Sequence, residues 1–484
     1  MIRSLEKFKQ NKIVAKICGF QNSIWYVLCL TVLVLASHLS GFELPFVWLI
    51  ILATAFSFIM QEDMKPFVPT VLLVYFCIPR DHGSTSWENV GIWQTTPYII
   101  NLAIISVVFV AALVFHFVYY KQYRNFAKRT FLTAGLAAFA TSYLTNGFFA
   151  PDYTINNLGY GLTFALLYYV FYLLIFHAVK WKSGESMKYL AQCMVFMGLL
   201  ISAELAFLYI LTPELHGVVP SKGYILLGWG NSNSIAFTTL LAIPFAFWLA
   251  WKEKYSLLYF LAATVMFTAI FFTYARGSLI VAGPMYIVGT IFLCIKAKKR
   301  LGIWIVTGCL IVAVVVVAIC FRGWLMDKLH IYIENGIKDR GRFRLWKLAL
   351  EGFLAAPIFG SGLYYRYGIE TSLFFWAHNT VLQILSTAGL VGIGVYLFHR
   401  VQTVIMFVKK PTSARLFAGF AVLGILISGM FDMTMICQNI ILYYGIILAF
   451  SEKDFLFRTG KMNENGEWIA DKDLPLRPLI GQAY

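Results

Sequence analysis

Of the chain's 484 residues, 60% are apolar and only 13% are charged, against roughly half and about a quarter in soluble domains. That balance excludes a soluble globular enzyme, a disordered chain, a collagen-like chain and a small disulfide scaffold, and it describes a polytopic membrane protein. The formal charge of +16, from 39 basic and 23 acidic residues, does not indicate nucleic-acid binding: most Lys and Arg sit in short loops between apolar runs, where they set topology.

Residues 1–21 carry Arg3, Lys7, Lys9, Lys12 and Lys16 and no small-residue cleavage site, so they read as a cytoplasmic anchor. The region 22–450 is expected to be an all-α transmembrane bundle of about fourteen spans. These fall near 22–39, 45–60, 67–79, 97–119, 130–149, 159–179 and 189–212, then 232–250, 256–275, 278–295, 301–321, 379–398, 415–432 and 434–450. With the N-terminus inside, 28 of the 39 basic residues fall in inner segments, which predicts cytoplasmic N- and C-termini. Residues 451–484 are then a polar cytoplasmic tail. The eight cysteines show no CxxC or Cys/His spacing, so neither a disulfide framework nor a metal site is expected.

Segment 322–377 breaks the pattern. It is too polar to span, lies outside by the charge rule, and holds eight of the eleven remaining basic residues. Within it, residues 342–354 have helical apolar spacing and read as an amphipathic helix on the outer surface, ended by Pro357 and the Gly360-Ser-Gly362 run.

Several residues in this outer region are candidates for chemistry. His378-Asn379 opens a helix carrying Gly389 and Gly392; the histidine is either an interfacial hydrogen-bonding group or a reactive one, and the glycines suit close packing of another helix. Arg276, in Tyr274-Ala-Arg-Gly-Ser278, sits outside against the charge bias, either snorkelling to headgroups or pairing with an anion. Arg340, Arg342 and Arg344 could converge on a diphosphate, which guanidinium groups bind bidentately, or could face anionic membrane lipid. Arg342 and Arg344 cannot both face one point if the stretch is helical. Asn231 and Asn233 either cap the helix they open or line a cavity. Glu204 is an ionisable group inside a span, and Glu351 follows the arginines, where it can position one of them by ion pairing.

These elements, in this order, resemble the O-antigen ligase and O-antigen polymerase superfamily. The resemblance rests on Gly-Asn-Ser-Asn-Ser-Ile-Ala at 230–236, Tyr-Ala-Arg-Gly-Ser at 274–278 and Gly-Arg-Phe-Arg-Leu-Trp at 341–346. It continues through Pro357-Ile-Phe-Gly-Ser-Gly362 and His378-Asn with its spacing to Gly389-x-x-Gly392. It covers residues 225–400. The family pattern often has Pro where this chain has Ser232.

The resemblance implies a multi-pass glycosyltransferase of the bacterial cytoplasmic membrane, its active site outside. Such enzymes transfer or polymerise glycans carried on undecaprenyl diphosphate, with inversion and without metal or other cofactor. It implies His378, Arg276 and Arg342 as catalytic residues, His378 acting at the acceptor hydroxyl and the arginines at the diphosphate. Arg340, Arg344, Asn231, Asn233 and Asn379 are expected substrate-binding residues. The implied partners are the lipid-linked donor, a glycan or lipid-glycan acceptor and, for a polymerase, a chain-length regulator. Polymerase is favoured over ligase. The competing reading is a lipid-linked oligosaccharide flippase, which needs charges along a central cavity; here the unusual charges cluster outside.

Overall fold

The computed structural model describes residues 2–77, 96–216, 222–323, 326, 327, 330, 342–365, 373, 374 and 377–469, without 125, 127, 129, 151, 152 and 229. Every apolar run read from the sequence falls on helix. The chain opens with α1 (Ile2–Lys9), α2 (Lys12–Gln21), α3 (Ile24–Ser40), α4 (Glu43–Met60), α5 (Phe67–Leu73) and α6 (Thr96–Tyr119). Next come α7 (Thr133–Leu144), α8 (Ile155–Ala165), a π-helical turn at Leu166–Val170, α9 (Phe171–Ala178) and α10 (Ser186–Leu211). The second half holds α11 (Ser232–Lys252), α12 (Ser256–Phe272), α13 (Arg276–Lys296), α14 (Arg300–Cys320), α15 (Arg342–Ala355), α16 (Thr380–Val408), α17 (Ser413–Ser428) and α18 (Gln438–Arg458). Among the described residues the strands are two short antiparallel pairs, Leu226–Leu227 with Gly230–Asn231 and Tyr364–Tyr365 with Leu373–Phe374.

Among the described residues, eight helical segments are long and apolar enough to cross a bilayer: α4, α6, α8 through α9, α10, α11, α13, α14 and α16. The α2–α3 pair, bent by 73°, makes a ninth if counted as one span. The remaining expected spans correspond to shorter helices, such as the seven-residue α5, every residue of which is buried, or, for the last, to the 21-residue α18, which carries Glu452, Lys453 and Asp454. The protein is an all-α, multi-pass membrane bundle, and α15 forms where the amphipathic helix was expected.

Helix α11 is the axis of the bundle, buried from Ser234 to Ala250 and packed by α10, α12, α13 and α17. Its hydroxyls are absorbed locally: Thr238 and Thr239 each donate to the carbonyl four residues back, both at 2.8 Å. Such back-bonding leaves no unpaired group in an apolar setting. At its start, Asn439 of α18 donates to Thr238 Oγ1 at 3.0 Å.

Gly389 of α16 serves a purpose other than helix packing. Gly389 is non-helical (φ 63°, ψ −154°) and breaks α16, and the Pro357–Gly362 loop fills the break. Ser361 N–H donates to Ser386 O at 2.7 Å and Gly362 N–H to Thr387 O at 3.1 Å; Leu390 and Val391 N–H donate to Pro357 O and Ile358 O at 2.8 and 3.1 Å. The break would otherwise strand four backbone groups, each costly to bury. A Cβ on Gly389 would lie 2.5 Å from Ile358 O, so a loop, not a helix, makes the close approach that the spacing of Gly389 and Gly392 suggested.

At the opposite end of the bundle, α18 runs on to Arg458 and buries Ser451, Glu452, Lys453 and Asp454, residues whose polarity reads as tail. Burial is tolerated because each charge is answered. Glu452 Oε1 accepts from Phe131 and Leu132 N–H at 2.5 and 3.3 Å, Lys453 donates to Val179 O, and Asp454 pairs with Arg415 at 3.2 Å.

Gly389→Ala should lower the melting temperature of the detergent-solubilised protein. The left-handed backbone alone costs a side chain about 1–2 kcal/mol, before the clash with Ile358 O. Gly394→Ala, on the same helix with open space around the added methyl, should leave melting unchanged or raised.

Candidate active site

Three helices begin at one end of the bundle, and their first turns carry most of the candidate residues. The Leu226–Asn231 hairpin leads into α11, whose N-cap is Asn231: its side chain accepts from Asn233 and Ser234 N–H at 3.1 and 3.0 Å. Asn379 caps α16 in the same way, accepting from Val381 and Leu382 N–H, both at 3.0 Å, while its amide donates to Met430 O at 3.0 Å. Helix α13 differs, because its N-cap, Ala275, has no side-chain acceptor. An α-helix leaves its first N–H groups without helical partners and carries partial positive charge at that end.

The turn between α17 and α18 joins these starts through Asp432. Its Oδ1 lies 2.9 Å from His378 Nδ1 and accepts from Met433 N–H at 2.8 Å; its Oδ2 accepts from the Asn233 amide. The backbone of the same turn takes part: Thr380 N–H donates to Gly429 O at 2.7 Å and Thr380 Oγ1 to Asp432 O at 3.2 Å. Residue 431 locates α13 beside it, since a Cβ on Gly277 would lie 2.8 Å from Phe431 Cβ. Arg276, half-buried, is therefore next to the turn that holds Asp432.

His378 leaves 38% of its side chain exposed, against 13% for Asp432, so the imidazole is open to a ligand and the carboxylate is set behind it. Burial alone pushes the Asp432 carboxyl up. The hydrogen bond from His378, the His378 charge, the Met433 N–H and the charge of Arg342 outweigh it and hold the group below the ordinary aspartate range. An ionised carboxylate only accepts hydrogen bonds, so His378 Nδ1 is the donor to Asp432, and in the neutral imidazole Nε2 is the nitrogen left with the lone pair.

Two of the five described non-glycine residues with positive φ lie here, His378 at 49° and Tyr274 at 55°. Side chains in that region cost roughly 1–3 kcal/mol each and persist where neighbours over-determine them. At His378 the neighbours are the Asn379 cap and Asp432.

The structure thus brings together His378, Asn233, Asn379 and, through Phe431, Arg276. Arg342 is exposed at the start of α15, and its charge reaches Asp432. Arg344, also exposed, lies two residues on, roughly 200° around the helix, and turns away from Arg342. Asn231 spends its carbonyl on capping. Arg340 lies outside the described residues. Glu351 meets Lys347 at 3.8 Å on the exposed face, so its ion pair is with a lysine, where an arginine was expected. Glu204 is fully buried, and among the described residues neither of its carboxylate oxygens has a hydrogen-bond partner.

Two residues were missed by the sequence reading. Asp432 stands at the end of an expected span, where an ionisable group is itself a signal. Lys222 donates to Asn233 Oδ1 at 2.6 Å; like Arg276, it is a basic residue on the expected outer side.

Because the folded-state pKa of Asp432 is depressed, its stabilisation is fully present above the ordinary value of about 3.9 and is lost as pH falls through the lower folded value. Asp432→Asn should melt below the native protein at pH 7. The gap should narrow as pH is lowered towards about 3, which melting curves followed by tryptophan fluorescence would register.

Residues 261–397 match the family model described as O-antigen ligase. The matched segment runs from α12 into α16 and contains Arg276, Arg342, the Pro357–Gly362 loop, His378 and the helix break; Lys222, Asn233 and Asp432 lie outside it. A search of curated proteins found no match. Over this segment the chain is similar to the O-antigen ligase family.

Proposed function

We propose that the protein is a glycosyltransferase of the bacterial cytoplasmic membrane that extends a glycan carried on undecaprenyl diphosphate, with its site on the outer face. The observation that carries this reading is the His378–Asp432 pair, a histidine with an open Nε2 held by a buried carboxylate, beside the start of α13 and Arg276. The outward orientation is supported by the 28 of 39 basic residues that fall on the other side.

The chemistry follows from the charges. His378 Nε2 takes the proton of the acceptor hydroxyl as its oxygen bonds to the anomeric carbon. The bond from that carbon to the diphosphate oxygen breaks on the opposite face, inverting the centre, and its electron pair leaves with the lipid diphosphate. Arg276, Arg342 and the uncapped N-terminus of α13 stabilise the negative charge that grows there, more in the transition state than in the ground state. Asp432 stabilises the imidazolium that forms.

Polymerase is the preferred form of this activity, with one lipid-linked repeat as donor and another as acceptor. Purified protein in nanodiscs, given an undecaprenyl-diphosphate-linked repeat alone, should make a ladder of products. His378→Ala should slow this by about 10²–10⁴-fold and Arg276→Ala by about 10²–10³-fold. Product that appears only when a second acceptor is added would make the protein a ligase. Full turnover in both variants, with their folding intact, would overturn the proposed site.

A further inference from the structure

We infer that Lys222 is a positioning residue, which anchors the Asn233 side chain and through it fixes Asp432 and the proton-bearing nitrogen of His378. This rests on the transferase reading only in that it assigns Lys222 a part in the same site. The chain of contacts is continuous: Lys222 Nζ donates to Asn233 Oδ1 at 2.6 Å, the Asn233 amide nitrogen donates to Asp432 Oδ2, and Asp432 Oδ1 accepts from His378 Nδ1 at 2.9 Å.

The donor types fix the direction of each link. An ammonium has only donors and a carboxylate only acceptors. An asparagine between them fits in one sense, oxygen to Lys222 and nitrogen to Asp432, because the flipped amide would set like against like at both ends. Asn233 stands in the first turn of α11, half-buried and near the open end of the bundle, where one contact to Asp432 leaves its side chain free to change rotamer. The second contact, to Lys222, removes that freedom. The ammonium also polarises the amide, strengthening its bond to the carboxylate.

Among the described residues, Lys222 adds a positive charge to a setting that already holds His378, Arg342 and the Cys437 thiol around Asp432, with Arg276 at the start of α13 beside the same turn. Without it, Asp432 keeps the Met433 N–H and His378 as donors but has a weaker hold on Oδ2. The carboxylate then draws more strongly on the imidazole and can rotate away from the geometry that aims Nε2. The residue acts through Asn233 and Asp432, so its loss should be felt in turnover rather than in substrate binding.

The test compares wild type, Lys222→Met, Lys222→Arg, Asn233→Leu and the Lys222→Met/Asn233→Leu double variant in the nanodisc assay across pH. Lys222→Met should lower kcat about tenfold, a part of the usual general-base contribution, with KM barely changed. The acid limb of its pH profile should move to higher pH, since losing a cation favours the protonated imidazole. Lys222→Arg should recover most of the rate, and the double variant should be no slower than Asn233→Leu alone.

A rise in KM at unchanged kcat would mean that Lys222 binds substrate directly and would overturn the inference. So would multiplying losses in the double variant, or an unaltered Lys222→Met. Should Lys222→Met not fold, Lys222→Gln, uncharged but still a donor, carries the same pH comparison. The 15N spectrum of His378, identified with His378→Asn, separates this inference from the transferase reading. If wild type makes no product, a changed Nδ1–H signal in Lys222→Met sustains the positioning role while the enzymatic reading fails, and an unchanged signal removes both.

Discussion

A single buried carboxylate holds the working end of this bundle together. Asp432 occupies the turn between two helices and takes hydrogen bonds from residues near the starts of two others, Asn233 on α11 and His378 before α16. Burying such a charge is expensive unless it is both paired and hydrogen-bonded. Here the compensation is shared among elements far apart in sequence, so the carboxylate is stable only when those elements are assembled. The same bonds that offset its burial orient the imidazole and support the strained backbone at residue 378.

The second constraint is backbone satisfaction in an apolar medium. A helix can break inside a membrane protein only where other groups replace the lost bonds, and at Gly389 the Pro357–Gly362 loop does so. Asn146 adds a lateral tie, accepting from Leu363 N–H at 2.8 Å. The loop is thus a structural part of the bundle, although its glycines and proline read as a simple stop signal after α15.

Much of this was legible in the sequence. Apolar length and the placement of Lys and Arg give the helices and the amphipathic α15 because hydrophobic burial is a local, additive property. Arg276 and His378 stood out for the same reason, each being a polar group where the local pattern disfavours one. Asp432 did not, because its importance comes from partners 54 and 199 positions away, a distance that no local pattern encodes. The buried Ser451–Asp454 run was misread as tail on the same account: charges look solvated until their partners are placed. Gly389 was noticed but assigned to helix packing, since a left-handed glycine and a packing glycine have identical signatures in a single sequence.

The bonding of the Pro357–Gly362 loop has a mechanical consequence for α15. Its C-terminal end is clamped: Ser361 Oγ donates to Gly352 O at 2.5 Å, and the following loop is knitted into the α16 break. The first three residues, Arg342, Phe343 and Arg344, are exposed. The middle of the helix is held as well, since Ala349 packs with Ala377 while Leu345, Leu348 and Leu382 close over that contact, so only the first turn, about 5 Å of helix, projects from the bundle. The cationic first turn of α15 thus stands out from the frame that holds the His378–Asp432 pair. Reach and precision are assigned to different pieces of the chain.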